Sequence, residues 1–182
     1  VMAVNDAPSL TDAGGTLAFT EDAAATAIDS TLTLTDADST NLASATVTIS
    51  GGYVSSEDVL AVTTQNGISG SWNSITGVLT LSGSATKMQY EAALQSVKYQ
   101  NTNTDNPNTG NRTVTWVVND GDTNSTGVSS TITVAAVNDA PVLKLLFTVA
   151  FATKADYGTG ANPNSVSSAD VNGDGKPDLL VA

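Results

Sequence analysis

Thr113-Val114-Thr115-Trp116-Val117-Val118 runs into Asn119-Asp120-Gly121-Asp122, and it puts Val114, Trp116 and Val118 on one side of the chain. A period of two over six residues marks a strand with one buried face. Asn-Asp-Gly-Asp after it is turn chemistry. Past that turn, Ser130-Thr131-Ile132-Thr133-Val134 repeats the pattern, with Ile132 and Val134 inward. Reading outward, Ala45, Val47 and Ile49 share one face of Ala45–Ser50. Shorter strands are expected around Leu17 and Phe19, at 27–35, 59–62, 67–72 and 78–81, and at Val97–Tyr99. Residues 85–94 break the pattern. Met88 and Ala92 lie four apart, as do Tyr90 and Leu94, which predicts a short helix capped by Ser84. Seven or more short strands separated by turns predict an all-β fold, an antiparallel Greek-key β-sandwich with one short helix insertion. A jelly roll is the alternative, but it needs a longer chain.

Composition narrows the chemistry. The 182 residues suggest one full domain, 1–141, followed by a piece of another, 142–182. With no cysteine, no disulfide holds the fold, and with no histidine the commonest general base and transition-metal ligand are missing. Eighteen acidic against six basic side chains give a net charge of −12, which disfavours binding to a phosphate backbone. No nucleic-acid partner and no enzymatic activity are expected. The chain starts at Val1 without a positive–apolar leader, so it reads as a piece of a longer protein whose export signal lies elsewhere.

The pentapeptide Val4-Asn5-Asp6-Ala7-Pro8 returns as Val137-Asn138-Asp139-Ala140-Pro141. A motif that brackets a domain at both ends reads as the joint of a tandem array, and its proline stops strand pairing there. In a Greek-key sandwich, Asn5, Asp6, Asp36, Asp38 and Asp120 should share the N-terminal end. Glu21 should lie beside Asn138 and Asp139 at the other. Carboxylates forced together repel unless a cation neutralises them. Six to eight hard oxygen ligands at about 2.3–2.6 Å suit Ca2+, whereas zinc and copper favour histidine or cysteine. Asp36, Asp38 and Asp120-Gly121 also suit plain turns; their expected convergence favours calcium.

Glu21, Asp36-x-Asp38, the Val-Val-Asn-Asp-Gly around Asp120 and Asn138-Asp139-Ala140-Pro141 together resemble a cadherin repeat, and more closely the cadherin-like repeats of large bacterial surface adhesins. The resemblance covers about residues 3–141. It implies calcium held between successive repeats. The pattern departs from the family where Ala3 and Ala136 replace an acid and where Ala7 and Ala140 replace a second asparagine, so one or two ions per joint are expected rather than three.

A second oxygen-rich segment follows. Asp170, Asn172 and Asp174 occupy positions 1, 3 and 5 of a calcium loop, Gly175 allows the sharp turn, Lys176 offers its carbonyl at 7, and Asp178 sits at 9. Val181 stands where an EF-hand has its bidentate Glu, so this is a loop between strands and not an EF-hand. The segment resembles an FG-GAP (VCBS-type) repeat over about 148–182, a piece of a β-propeller, which needs several blades to bury its faces.

These patterns predict a calcium-binding structural or adhesion module of a large secreted or cell-surface bacterial adhesin, outer-membrane-associated or secreted. Calcium would stiffen successive repeats into a rod that presents a distal binding domain. The expected partners are neighbouring repeats of the same chain and a cell-surface protein or glycan. The isolated chain should be a monomer, or a weak dimer through its C-terminal tail. The alternative is a glycan- or protein-recognition sandwich using Tyr53, Trp72, Tyr90 or Tyr99. A Lys–Asn isopeptide crosslink would need a buried lysine beside an acid, for which Lys98 is the candidate.

Overall fold

The computed structural model describes residues 4–141 and 165–181. The chain divides into two compact units, Val1–Ala140 and Pro141–Ala182. The first is an all-β sandwich with one helix. Its strands are β1 (Ser9–Thr11), β2 (Thr16–Thr20), β3 (Thr26–Ala27), β4 (Thr33–Thr35), β5 (Asn41–Gly51), β6 (Asp58–Ala61), β7 (Ser69–Asn73), β8 (Val78–Thr86), β9 (Lys98–Asn101), β10 (Arg112–Asn119) and β11 (Val128–Ala135). Helix α1 (Lys87–Gln95) joins β8 to β9.

Six strands form the larger sheet in the order β2-β11-β10-β5-β8-β7, three form the smaller in the order β3-β9-β6, and β1 pairs with β4. The inward faces are those that alternation predicts. Val114, Trp116 and Val118, Ile132 and Val134, and Ala45, Val47 and Ile49 are all buried. They join Leu60, Val97 and Tyr99 in one core. Phe19 of β2 meets Tyr99 of β9 edge to face, with ring centroids 5.1 Å apart. That geometry is favourable beyond simple area burial, and it ties the two sheets together.

One pairing departs from an antiparallel plan. β2 runs parallel to β11, with Thr16 opposite Thr131 and Thr20 opposite Ala135. The ladder continues past the strand ends, where Glu21 N donates to Ala135 O at 2.8 Å. Parallel pairing brings the ends of the first long strand and the last one to the same place.

The helix starts later than Ser84. β8 stays paired with β5 out to Thr86, opposite Asn41, so Thr86 is the cap. Its side chain accepts from Gln89 N, while Gln89 Oε1 accepts from Thr86 N, a reciprocal capping box. Tyr90, Ala93 and Leu94 face the core, and Met88 is 79% exposed. Of the two four-apart pairs in the sequence, only Tyr90 and Leu94 point inward. Glu91 accepts from Leu34 N at 2.9 Å, and Gln95 donates to Leu32 O at 2.7 Å. The helix thereby satisfies backbone groups on and before β4, which would otherwise be an open edge.

The turn after β10 is longer than a tight hairpin, because β11 does not begin until Val128. Ser125 folds back in between: its N donates to Val118 O at 2.8 Å, and its hydroxyl accepts from Val118 N at 3.1 Å.

In the second unit, β12 (Val166–Ala169) pairs antiparallel with β13 (Asp178–Val181), in register from Val166–Val181 to Ala169–Asp178. Residues 142–164, which include the first part of the expected tail repeat, lie outside the described residues.

Candidate functional site

Register assembles the N-terminal end of the sandwich. Ser9 pairs with Thr35, so the turn after β4 comes back to the segment just before β1. There Asp6 N donates to Asp38 at 3.4 and 3.3 Å from its two oxygens. Asp38 N and Ser39 N donate to Asp36 Oδ1 at 3.2 and 2.8 Å. Asp36 Oδ2 is buried and has no hydrogen-bond partner among the described residues. Asn5 Nδ2 donates to Asp120 Oδ2 at 2.9 Å. The other oxygen of Asp120 accepts from Asp122 N and Thr123 N at 2.8 and 2.7 Å. The Thr123 amide, then Asn5 and the Asp122 amide, hold the Asp120 carboxyl below its ordinary value, because donors favour the charged form. Asn5 is thus bonded to Asp120, and Asp6 to Asp38 and through it to Asp36; the Asn5–Asp6 peptide bond joins the two groups.

The opposite end rests on the parallel β2–β11 pair. Glu21 is 4% exposed. Its Oε2 accepts from Val137 N at 2.7 Å, and its Oε1 has no hydrogen-bond partner among the described residues. Asn138 and Asp139 follow directly and are exposed. No hydrogen bond joins their side chains to Glu21 among the described residues; Asn138 donates to Asp139 O at 3.2 Å. Nor, among the described residues, do three or more acidic side chains gather closely enough to hold a metal ion.

The two copies of the pentapeptide sit differently. In the first, Pro8 is buried and Asn5 and Asp6 are engaged by the turns after β10 and β4. In the second, all five residues from Val137 to Pro141 are exposed.

In the tail, the loop between β12 and β13 is wound around its own oxygens. Asp170 accepts from Gly173 N at 2.7 Å and Gly175 N at 2.9 Å. Asn172 Oδ1 accepts from Asp174 N at 2.9 Å, Asp174 Oδ1 accepts from Lys176 N at 2.9 Å, and Asp178 Oδ2 accepts from Val171 N at 3.0 Å. Gly173 and Gly175 have φ of +75° and +83°, a conformation that glycine adopts freely.

The recognition aromatics are mostly unavailable. Tyr90 and Tyr99 are fully buried. Tyr53 and Trp72 pack edge to face at 6.1 Å, both only partly exposed. Lys98 is exposed on β9, so it lacks the burial that an isopeptide crosslink requires.

Two buried polar groups escaped the sequence reading. Arg112, fully buried, donates to both oxygens of Asp58 and to the carbonyls of Asn108 and Gly110. Tyr99 also donates to Asp58, at 2.6 Å. Asp29 is the second. Burial by itself would raise its pKa, but donors from Thr31, Ser130 and Gly15 outweigh this and hold it below the ordinary value. A single Arg or Asp near a strand end carries no pattern that would single it out.

Against known proteins, the FG-GAP repeat family matches residues 162–182. The chain is also 35% identical to halomucin of Haloquadratum walsbyi (strain DSM 16790 / HBSQ001) over 117 residues, which is 60% of this chain. The chain spans 1% of the length of that curated relative. No solved structure matches the chain. The FG-GAP repeat, expected over about 148–182 and matched at 162–182, is what sequence and comparison agree on.

Proposed function

We propose that this chain is part of an extracellular or cell-surface repeat protein, in which the sandwich is a calcium-stiffened spacer of an adhesin. The observation that carries this is the pair of buried carboxylate oxygens without a partner, Glu21 Oε1 and Asp36 Oδ2. Glu21 accepts through its other oxygen from Val137 N, in the second copy of the motif, and Asp36 accepts through its other oxygen from Asp38 N and Ser39 N, in the turn whose Asp38 accepts from Asp6 N of the first copy. A buried polar atom left unpaired costs about 1–3 kcal/mol, more when charged, and a bound cation removes that cost. The nearby donor set is all oxygen, which suits calcium. Asn5, Asp6, Asp36, Asp38 and Asp120 would hold an ion at one end, with Glu21, Asn138 and Asp139 at the other. Calcium supplies a fixed double charge that neutralises these carboxylates.

The chain's own residues supply the framework. The turn after β4 and the loop after β10 grip Asn5 and Asp6, which orients the joint. Glu21 fixes Val137 and hence the exit of the chain. An ion that binds only the ordered joint stabilises it by RT ln(1 + [Ca]/Kd), and that linkage would turn a string of modules into a rod. In the tail, Asp170, Asn172, Asp174, the Lys176 carbonyl and Asp178 form a separate calcium loop. Neighbouring repeats are the immediate partners, and catalysis is not part of the proposal. The similarity to halomucin and the FG-GAP match support an extracellular repeat protein.

Thermal unfolding in excess calcium and in excess chelator tests this. A rise of several degrees with calcium, lost on Asp36→Ala with Asp38→Ala, is the expected result. If calcium left the transition where chelator leaves it, and Asp36→Ala with Asp38→Ala lowered both alike, the acids would be turn formers. Recognition through the Tyr53–Trp72 pair would then become the better reading.

A further inference from the structure

We infer that Lys87 is a built-in counter-cation of the Asp36–Asp38 corner, one that keeps the corner assembled without an ion and lowers its affinity for calcium. The inference rests on the calcium reading above. Lys87 is the first residue of α1, following the Thr86 cap. A helix N-terminus carries partial positive charge, so a cation is disfavoured there, and the first turn holds no acid to compensate. The local sequence therefore gives no reason for a lysine at this position. The tertiary structure gives one: Lys87 Nζ donates to the backbone carbonyl of Asp36, 51 residues away.

The alternatives are already committed. Glu91, one helical turn on, accepts from Leu34 N. Among the described residues, the ion pairs belong to Arg112, with Asp58 and Glu57. Lys98 is exposed on β9. Lys87 is thus the cation that the described part of the sandwich directs to this corner. There Asp36 uses Oδ1 for two backbone donors, while Oδ2 is buried without a partner. The ammonium on the Asp36 carbonyl forms no ion pair with the carboxylate among the described residues, and acts on that buried oxygen through the field of its charge. A divalent ion arriving at the Asp36 and Asp38 oxygens would stand close to the same positive charge and be repelled by it.

Calcium titration calorimetry on the full chain tests this, with the tail loop silenced by Asp170→Ala and Asp174→Ala. Lys87→Met should bind calcium about three- to tenfold more tightly at low salt. The gap should narrow at roughly 0.5 M NaCl, where the screening length falls to a few ångströms although part-buried charges are screened less than exposed ones. Lys87→Arg should titrate like the wild type, and Lys87→Gln repeats the test should the Met variant misfold. In chelator, Lys87→Met should unfold at a lower temperature. Unchanged or weaker calcium affinity in both neutral variants, or a gain that salt leaves untouched, overturns the role of Lys87 alone. If Asp36→Ala titrates like the wild type, the corner is not a calcium site, and the wider reading falls with it.

Discussion

Arg112 Nε lies 3.2 and 3.1 Å from the two carboxylate oxygens of Asp58, and neither side chain is exposed to solvent. The two residues are 54 positions apart and staple the start of β10 to the start of β6. Around them Glu57 accepts from Asn101, Asn103 and Asn108, which folds the polar loop after β9 against the sandwich. Removing one partner of a buried pair strands the other, at a cost of about 3–5 kcal/mol. Arg112→Met should therefore lose about that much stability in urea denaturation. A loss below about 1 kcal/mol, the range of exposed pairs, would show that water reaches the site.

Asp29 makes stability depend on pH. Its folded-state value lies below the ordinary 3.8, so the charged form is favoured by folding. Its contribution is fully present above 3.8 and is lost as pH falls through the folded value. Asp29→Asn should be less stable than the wild type at neutral pH, and the difference should shrink at acid pH below 3.8. A difference that stayed constant into acid would mean the carboxylate charge is not what matters.

Gly83 has φ of +131°, and a Cβ built on it would sit 2.2 Å from the carbonyl oxygen of Gly67. Gly67 itself has φ of +79° with open space around it. Gly83→Ala meets a backbone clash on top of an unfavourable dihedral angle, and Gly67→Ala meets only the angle. The expected losses are about 3 kcal/mol or more and about 1 kcal/mol respectively. Equal losses in chemical denaturation would mean that β8 shifts to relieve the contact.

The exposure of Val137 to Pro141 bears on the joint. The first copy of this motif is held by the module that follows it, and the second has no such grip among the described residues. Two sandwiches in tandem should therefore bind calcium more tightly than residues 1–141 alone, and Glu21→Gln in the first module should remove the gain. Equal affinities for one module and two would rule out a shared joint.

The tail loop should behave independently. Asp170 accepts from two glycine amides and Asp174 from Lys176, so Asp170→Ala with Asp174→Ala should remove calcium from this loop only. The expected result is a stoichiometry lower by one ion, with the unfolding temperature of the sandwich in chelator unchanged. A shift in that temperature would mean the loop is coupled to the sandwich.

Local periodicity made much of the fold legible. Side chains alternate across any strand, so the inward faces of β5, β10 and β11 follow from Ala45-x-Val47-x-Ile49, Val114-x-Trp116-x-Val118 and Ile132-x-Val134 without knowledge of their neighbours. The tail loop was legible for the same reason: its oxygens at 170, 172 and 174 bond to amides two to five residues further on.

Pairings between distant residues were settled only by the tertiary structure. Parallel alignment of β2 with β11 put Glu21 against Val137, and pairing of β5 with β8 moved the helix cap from Ser84 to Thr86. Which face of α1 turned inward depended on the core beneath it. The burial of Arg112 on Asp58 and the reach of Lys87 to Asp36 span more than fifty residues each, and no local period encodes contacts of that kind. The sequence by itself determined which residues are inward on β5, β10 and β11 and where oxygens cluster along the chain. The three-dimensional packing decided which oxygens are buried, which are satisfied and which cations face them, because burial and charge pairing depend on neighbours that only folding brings together.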